Sequence, residues 1–269
     1  MKINTNNMLR LLLLLCSVAL STLCCVANNR EGKIISVTSD GMTRRALVYA
    51  PKSQKSPAPL VFVFHGRGGS MSGISKKMDI HNLWHEAIVV YPQGMWCEGG
   101  YRDGLGWVIN DMEDEGRDIR FFDVLLDHLL KNYNVDSGNV FATGHSNGGG
   151  FTYALWALRG DKFKAFAPSA SSSRRLGENA KKRMPKSVFI MGGELDEIVK
   201  IERVRRDVEV SKQINGCTGM PRKFTESTKI YYGKNGVVVV NAIHPYGHDI
   251  QRAMLPELVE FFKYMCQNK

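Results

Sequence analysis

The chain has 269 residues, of which 43% are hydrophobic and 23% charged. This composition is ordinary for a globular protein, and the length suffices for one large α/β domain with a full core. The formal net charge of +10 favours contact with acidic surfaces, but the chain carries no nucleic-acid-binding motif, so we interpret the basic residues as a solvated face and expect no nucleic-acid partner.

The N-terminal segment has the layout of a secretory signal peptide. Lys2 and Arg10 precede an apolar run over residues 11–20, and small residues follow this run. The run is too short and too early to favour a membrane-spanning helix. The sequence therefore predicts a secreted or periplasmic protein with no stable membrane insertion after cleavage.

We place the cleavage after Ala27, which makes 1–27 a signal peptide and 28–269 a single domain. Cleavage after Ser21, lipoprotein processing at Cys24 and an uncleaved anchor are the alternatives. Cleavage after Ala27 removes two basic residues and no acidic one, so the formal charge falls from +10 to +8.

Three cysteines follow the signal segment: Cys97, Cys217 and Cys266. An oxidising compartment favours one disulfide, and the odd number leaves at least one thiol unpaired. The sequence leaves the pairing open; we favour Cys217 with Cys266, because Cys97 lies in a loop expected at the active site. The chain has no Cys-x-x-Cys pair or His/Cys cluster, so we expect no metal site.

The first half of the chain predicts a hairpin, two buried strands and two helical segments. The elements are, in chain order, strands 33–39 and 44–50 joined by the turn Ser39-Asp40-Gly41, strand 60–64, a partly helical segment 70–85, strand 87–91 and helix 117–132. The runs at 60–64 and 87–91 are continuously apolar, which is typical of central strands buried on both faces.

A long loop is predicted over residues 93–115. A loop of this length in a compact domain is usually functional or disordered. Its aromatic residues favour a substrate-binding wall, for which we nominate Tyr101 and Trp107. The acidic residues at 110–115 lack a calcium-loop pattern, so we interpret them as a solvated turn.

The second half alternates strands with helices. The predicted elements are strand 140–143, helix 151–158, strand 163–167, a polar surface loop 170–185, strand 187–191, helix 200–214, a hairpin of strands 229–232 and 237–243 around Lys234-Asn235-Gly236, and helix 250–265. Such alternation predicts an α/β fold with a mostly parallel central sheet, helices on both faces and an antiparallel start.

The segment Gly144-His145-Ser146-Asn147-Gly148 joins a predicted strand to a predicted helix. A Gly-x-Ser-x-Gly motif in this context is typical of a sharp turn that exposes a nucleophilic serine, whereas the motif alone is common by chance. The helix that follows directs its free N–H groups and positive dipole end towards a developing oxyanion. We therefore predict Ser146 as a nucleophile rather than a residue of a plain glycine-rich loop.

A serine nucleophile needs a histidine base held by an acid. In the α/β-hydrolase arrangement the chain order is serine, acid, histidine, so only His244 and His248 qualify as the base. We favour His248, which lies in a loop before the last helix, and interpret His244 as structural. The preferred acid is Asp196, in the turn after strand 187–191, although an Asp there is often only a helix cap. Its neighbours Glu194 and Glu197 are the alternatives.

Two backbone N–H groups are needed to bind the oxyanion. Asn147 follows the nucleophile and supplies one. The loop His65-Gly66-Arg67-Gly68-Gly69 follows the first buried strand, and Arg67 is the expected source of the other, because the glycines permit close approach to a substrate carbonyl. We interpret His65 as a structural hydrogen-bonding residue.

Several motifs together resemble one enzyme family. They are, in chain order, residues 65–69, Tyr91-Pro92, residues 144–149, Gly193-Glu-Leu-Asp196, Asn215-Gly216-Cys217 and Gly247-His248. The set, spread over residues 33–265, resembles secreted esterases of the polyhydroxybutyrate depolymerase and feruloyl esterase type, in carbohydrate esterase family one. The resemblance implies an α/β-hydrolase fold, no cofactor, and the triad Ser146, Asp196 and His248. The family often has a tryptophan after the histidine, whereas here Asp249-Ile-Gln-Arg follows.

These observations predict a secreted serine esterase. The substrates implied by the resemblance are feruloyl or acetyl esters of plant polysaccharide fragments, or short hydroxyalkanoate esters. Another serine hydrolase on the same fold, a peptidase or thioesterase, is the alternative, and a non-catalytic binding protein is a more distant one.

Overall fold

The structure, a computed structural model, describes residues 30–99, 102–108, 116–173 and 184–268. The predicted signal peptide at 1–27, the substrate-wall residue Tyr101 and the acidic turn at 110–115 lie outside the described residues and stay predictions. Residues 31–269 form one compact unit.

The described residues form twelve strands. They are, in chain order, β1 (Lys33–Ser39), β2 (Met42–Tyr49), β3 (Ala58–Phe64), β4 (Ile88–Pro92), β5 (Met95–Cys97), β6 (Gly104–Gly106), β7 (Val135–His145), β8 (Ala165–Ser169), β9 (Ser187–Gly193), β10 (Arg222–Lys223), β11 (Lys229–Tyr232) and β12 (Val238–His244).

Six α-helices connect them in the described ranges. They are α1 (Met71–Lys77), α2 (Ile80–Leu83), α3 (Arg117–Asn132), α4 (Asn147–Arg159), α5 (Ile201–Asn215) and α6 (Leu255–Gln267). None of these helices combines the length and the apolar composition that crossing a bilayer requires.

Ten of the strands form one sheet in the order β1-β2-β4-β3-β7-β8-β9-β12-β11-β10. The six strands from β4 to β12 in this order are parallel to one another. The outer strands at both ends pair antiparallel. The predicted α/β class with a mostly parallel sheet and an antiparallel start is therefore confirmed.

Two apolar cores cover the two faces of the sheet. Side chains alternate across a strand, and in β3 Leu60, Phe62 and Phe64 enter one core while Val61 and Val63 enter the other. Helices α3, α4 and α5 pack on the first face, and α1, α2 and α6 on the second. Burial on both faces explains why the central strands read as continuous apolar runs.

The turns follow their local sequence. Asp40 and Gly41 both have positive φ, 52° and 73°, which is the backbone of a tight two-residue hairpin turn between β1 and β2. Ser70 begins α1, since its hydroxyl accepts a hydrogen bond of 3.1 Å from the backbone N–H of Gly73. These local signals account for the position of this turn and of this helix start, whereas the predicted strand 140–143 and the predicted helix 250–265 differ by several residues from β7 and α6.

One predicted loop is partly ordered as sheet. Residues 95–97 and 104–106, expected to be irregular, form the small antiparallel pair β5–β6. The strands have three residues each and two of those six residues are Gly104 and Gly106, so no alternating pattern marked them. The pair is instead held by contacts to distant residues, described below.

The expected disulfide is absent: Cys97, Cys217 and Cys266 are free thiols. Cys217 packs against the core on the α5 face of the sheet, whereas Cys266 packs against the core on the α6 face. The sheet separates the two thiols, so the expected pairing of Cys217 with Cys266 was wrong. Burial raises the pKa of the Cys266 thiol to about 11.

Candidate active site

The three predicted triad residues all follow the carboxyl ends of parallel strands. Ser146 comes directly after β7, Asp196 lies three residues after β9, and His248 lies four residues after β12. Because β7, β8, β9 and β12 are parallel neighbours, these ends meet at one edge of the sheet, where α/β folds place their sites.

Ser146 sits on a strained turn. Its φ of 57° and ψ of −118° lie outside the regions that L-residues prefer. The turn also requires glycine on both sides: a Cβ on Gly144 would lie 2.6 Å from the carbonyl group of Gly148, and a Cβ on Gly148 would lie 2.3 Å from Phe64 O. The tight turn holds the serine at the start of α4, above the sheet edge.

A continuous chain of hydrogen bonds joins the three side chains. His248 Nε2 lies 2.9 Å from Ser146 Oγ, and His248 Nδ1 lies 2.8 Å from Asp196 Oδ2. An ionised carboxylate only accepts, so the Nδ1–H donates to Asp196 and Nε2 accepts the serine hydroxyl. The imidazole therefore has the tautomer that a general base needs.

The carboxylate of Asp196 is buried and held rigidly. Its side chain is 1% exposed, against 21% for His248. Asp196 Oδ1 accepts hydrogen bonds from the backbone N–H groups of Ile198, at 2.8 Å, and Val199, at 2.7 Å. These two donors fix the orientation of the carboxylate and leave Oδ2 for the imidazole.

The alternative residues lie elsewhere. His244 is 6% exposed and its Nδ1 accepts from the backbone N–H of Tyr246 at 3.3 Å, while burial lowers its pKa. Glu194 is exposed and pairs with Arg205 at 2.5 Å, and Glu197 is exposed. The geometry therefore favours His248 and Asp196 over these candidates.

The loop after β3 borders Ser146. A Cβ on Gly66 would lie 3.3 Å from Ser146 Cβ, so the loop backbone passes beside the serine. Gly68 N–H donates to Leu105 O at 2.7 Å and Gly69 N–H donates to Gly66 O at 2.9 Å. These bonds hold the backbone at Arg67, whose N–H stays our expected oxyanion donor together with that of Asn147, the first residue of α4.

His65 is a structural residue, as its hydrogen bonds indicate. Its Nδ1 donates to Gly66 O at 2.8 Å, and its Nε2 accepts from Gly94 N–H at 2.9 Å. Burial lowers the pKa of this imidazole, so it stays neutral and fastens residues 65–69, the expected oxyanion loop, to the segment after β4.

Trp107 does not form the expected substrate wall. The residue is 1% exposed, and its indole packs against Phe64 and Phe151 beneath the site. Its Nε1–H donates to His65 O at 2.9 Å. The apolar part of the indole therefore packs in the core. Its Nε1–H group supports the loop that carries Arg67. We correct its assignment from substrate binding to support of the site.

The side chain of Asn147 locks this support in place. Its Oδ1 accepts from Trp107 N–H at 2.7 Å, and its Nδ2 donates to Trp107 O at 2.9 Å. The sequence analysis considered only the backbone N–H of Asn147. This pairing joins the turn at the nucleophile to a residue 40 positions away, and no pattern within the motif indicates it.

A buried ion pair holds the end of the same loop. Arg44 Nη2 lies 2.7 Å from Asp118 Oδ1, and the two side chains are 3% and 0% exposed. Asp118 Oδ2 also accepts from the backbone N–H of Val108 at 2.9 Å. The only sequence signal for this pair was a charged residue within an otherwise apolar strand face and another within an apolar helix face.

His145 lies next to His248, the proposed base. Its ring centre is 5.0 Å from that of His248, and burial, followed by the charge of His248, lowers the pKa of His145 to about 3. A neutral imidazole adds no positive charge beside His248. The sequence analysis assigned no role to His145, because this position of the motif accepts any residue.

The site opens into a cavity of about 540 Å³. Ser146, His248, the oxyanion loop and the side chains of Ile74, Ile198 and Ile250 line it. Among the residues that the structure describes, no cluster of three or more His, Cys, Asp or Glu side chains is arranged to hold a metal ion.

Known proteins provide an independent comparison. No protein-family model matches the chain. Feruloyl esterase D of Neurospora crassa is 26% identical over 242 residues, covering 82% of this chain and 79% of the relative. The bifunctional acetylxylan esterase/xylanase XynS20E of Neocallimastix patriciarum is 27% identical over 200 residues; the match covers 71% of this chain but 28% of the relative's length.

Solved structures agree on the fold. Acetyl xylan esterase from Aspergillus awamori superposes with a TM-score of 0.66 at 14% identity, over 87% of this chain and 100% of that one. At such low identity, the structural similarity supports the fold only. The activity is supported by the relatives that are similar in sequence. The chain is a carboxylic ester hydrolase with an α/β-hydrolase fold, and it is similar in sequence to feruloyl and acetylxylan esterases.

Proposed function

We propose that the chain is a secreted serine esterase that cleaves carboxylic esters through an acyl-enzyme. The observation that carries the proposal is the hydrogen-bonded series from Ser146 Oγ through His248 to Asp196, with separations of 2.9 Å and 2.8 Å. A hydroxyl beside a neutral imidazole, itself held by a buried carboxylate, is the arrangement that activates a serine.

The reaction has two halves. Ser146 Oγ attacks the ester carbonyl carbon while His248 Nε2 takes the hydroxyl proton, and the imidazolium then gives this proton to the leaving alkoxide. Water attacks the acyl-enzyme, again losing a proton to His248, and Ser146 leaves with that proton. Asp196 orients the imidazole and stabilises its charge throughout.

The tetrahedral intermediates carry a negative oxygen in each half. We propose that the backbone N–H groups of Arg67 and Asn147 donate to this oxygen. The loop at Arg67 is fastened through His65 and Trp107, and Asn147 is fastened through its amide, so both donors are already in place when charge develops.

The relatives' names suggest the substrates. Feruloyl esterase D and the acetylxylan esterase/xylanase support feruloyl or acetyl esters of plant polysaccharide fragments, and short hydroxyalkanoate esters are the other class, implied by the family resemblance of the sequence motifs. We further propose export of the protein, on the signal-peptide layout of residues 1–27. N-terminal sequencing of the exported chain tests the cleavage after Ala27.

The central test is Ser146→Ala, which removes the attacking oxygen. We expect kcat on phenyl acetate, methyl ferulate and acetylated xylo-oligosaccharides to fall by roughly 10⁴-fold or more. The matched control is Ser53→Ala, an exposed serine in the loop before β3, at the opposite edge of the sheet.

A fluorophosphonate probe provides a second readout, because it bonds only to an activated serine. We expect labelling of the wild type and of Ser53→Ala, and none of Ser146→Ala. Near-normal turnover or labelling in the Ser146→Ala variant refutes the proposed nucleophile. A thioester and an amide in the same panel separate an esterase from a thioesterase or peptidase.

A further inference from the structure

The cavity over Ser146 has a strongly basic wall. Arg67, Lys77 and Arg102 line it, whereas no Asp or Glu among the described residues does so. The buried acid of the site, Asp196, is occupied by three hydrogen bonds and does not line the cavity. The positive charges therefore have no acidic partner within the described part of the cavity.

The two arginines are held against the oxyanion loop. Arg102 Nη2 donates to Arg67 O at 3.1 Å, and Arg67 Nη1 donates to Gly104 O at 3.5 Å. Each contact uses one of the five N–H donors that a guanidinium carries. The remaining donors are available to a ligand that enters the cavity.

Glycines make room for these side chains. A Cβ on Gly68 would lie 2.9 Å from Arg102 Nη2, and a Cβ on Gly106 would lie 3.2 Å from Arg67 Nη1. Each guanidinium thus rests on a bare stretch of backbone, close to the residues that border Ser146. Arg67 is half-buried and Arg102 is exposed, and both line the cavity beside Ser146.

Resting on the proposed function, we propose that this basic wall binds a carboxylate of the substrate. The preferred substrates are then esters that carry a negative charge near the scissile bond, such as hydroxy-acid oligomers with a free carboxyl end. Arginine suits this role because its planar fork donates two parallel hydrogen bonds to a carboxylate. Like charges around a concave site also raise the local concentration of an anionic substrate.

Matched pairs of esters test the proposal. Monophenyl adipate differs from phenyl hexanoate by a carboxylate at the end of the acyl chain, and 3-carboxyphenyl acetate differs from phenyl acetate by a carboxylate on the leaving group. For at least one pair, we expect kcat/KM at low salt to be about tenfold higher for the charged ester. The pair that shows the preference identifies the side of the ester that faces the wall.

Variants identify the residues. Arg102→Gln and Lys77→Gln should each lower the ratio of kcat/KM, charged over neutral ester, by roughly threefold to tenfold, because each removes one charge from the wall. The matched control is Arg222→Gln, on β10 at the far end of the sheet, which should leave the ratio unchanged. Raising the ionic strength to about 1 M, where the Debye length is about 3 Å, should reduce the wild-type ratio.

Two results overturn the proposal. One is equal kcat/KM for both members of both pairs in the wild type at low salt. The other is an equal fall in kcat/KM for charged and neutral esters in the Arg102→Gln variant. Such a result would mean that the arginine acts on the ester group rather than on a carboxylate. In either case, hydrolysis of neutral esters that depends on Ser146 keeps the proposed function standing; loss of that dependence refutes the function itself.

Discussion

The substitution Asp196→Asn tests the acid with almost no change in shape. Asp196 Oδ1 accepts two backbone N–H groups, at 2.8 Å and 2.7 Å, and only an oxygen serves there. The amide nitrogen must therefore replace Oδ2, 2.8 Å from His248 Nδ1. Since an NH₂ group donates, Nδ1 must accept, and the ring proton moves to Nε2.

The expected loss of activity in Asp196→Asn follows from this tautomer. With a proton on Nε2, 2.9 Å from Ser146 Oγ, this nitrogen has no lone pair to take the serine proton, and the lone pair on Nδ1 faces away from the serine. The same exchange in a Ser-His-Asp protease lowers kcat by about 10⁴-fold, which corresponds to about 5 kcal/mol in the barrier. The hydrogen bonds are all retained, so we expect the free energy of unfolding to change by no more than about 2 kcal/mol.

The assay is kcat/KM on phenyl acetate, with thermal unfolding to verify the fold. Glu194→Gln is the matched control: it makes the same chemical change two residues away, at an exposed carboxylate paired with Arg205. We expect its activity to stay within about twofold of the wild type, as for other exposed pairs. A tenfold or smaller loss in Asp196→Asn, or a larger loss in Glu194→Gln, refutes the reasoning.

Two further predictions concern stability. Burial lowers the pKa of His145 from 6.5 to about 3, so between these values the unfolded chain binds a proton that the folded chain does not. The free energy of unfolding should therefore fall by about 1.4 kcal/mol per pH unit below pH 6.5 in urea titrations, and His145→Gln should remove this component; an identical slope in the variant contradicts the assignment. Asp118→Ala leaves Arg44 buried without its 2.7 Å partner and should cost about 3–5 kcal/mol of unfolding free energy, whereas Glu209→Ala, which breaks an exposed pair with Lys212 on α5, should cost less than about 1 kcal/mol. Equal losses in these two variants would show that burial of the pair is unimportant.

Much of the fold followed from local pattern. Continuous apolar runs at 60–64 and 87–91 predicted strands buried on both faces, and both became central parallel strands. Helix α3 was predicted from the helical spacing of its apolar residues. Such patterns are readable because a strand or helix must present its apolar side chains to a core whatever the core contains.

Some residues of the site could be predicted from the sequence and others could not. The motif, the chain order and the positions after predicted strands singled out Ser146, Asp196 and His248, and these side chains meet in the structure. Their chemical roles remain our proposal. Trp107 was expected in the cavity because an aromatic residue in a loop looks the same in sequence whether it faces solvent or the core.

The amino-acid sequence by itself determined the elements, the glycines of the nucleophile turn and the order in which candidate residues occur. Only the tertiary structure decided that Trp107 is buried under His65, that Cys217 and Cys266 lie on opposite faces of the sheet, and that Arg67 and Arg102 converge over the cavity. The physical reason is the distance along the chain over which the relevant interactions act. Backbone conformation and periodicity depend on near neighbours along the chain, whereas burial, pairing and charge clustering depend on residues that approach only after the sheet has formed.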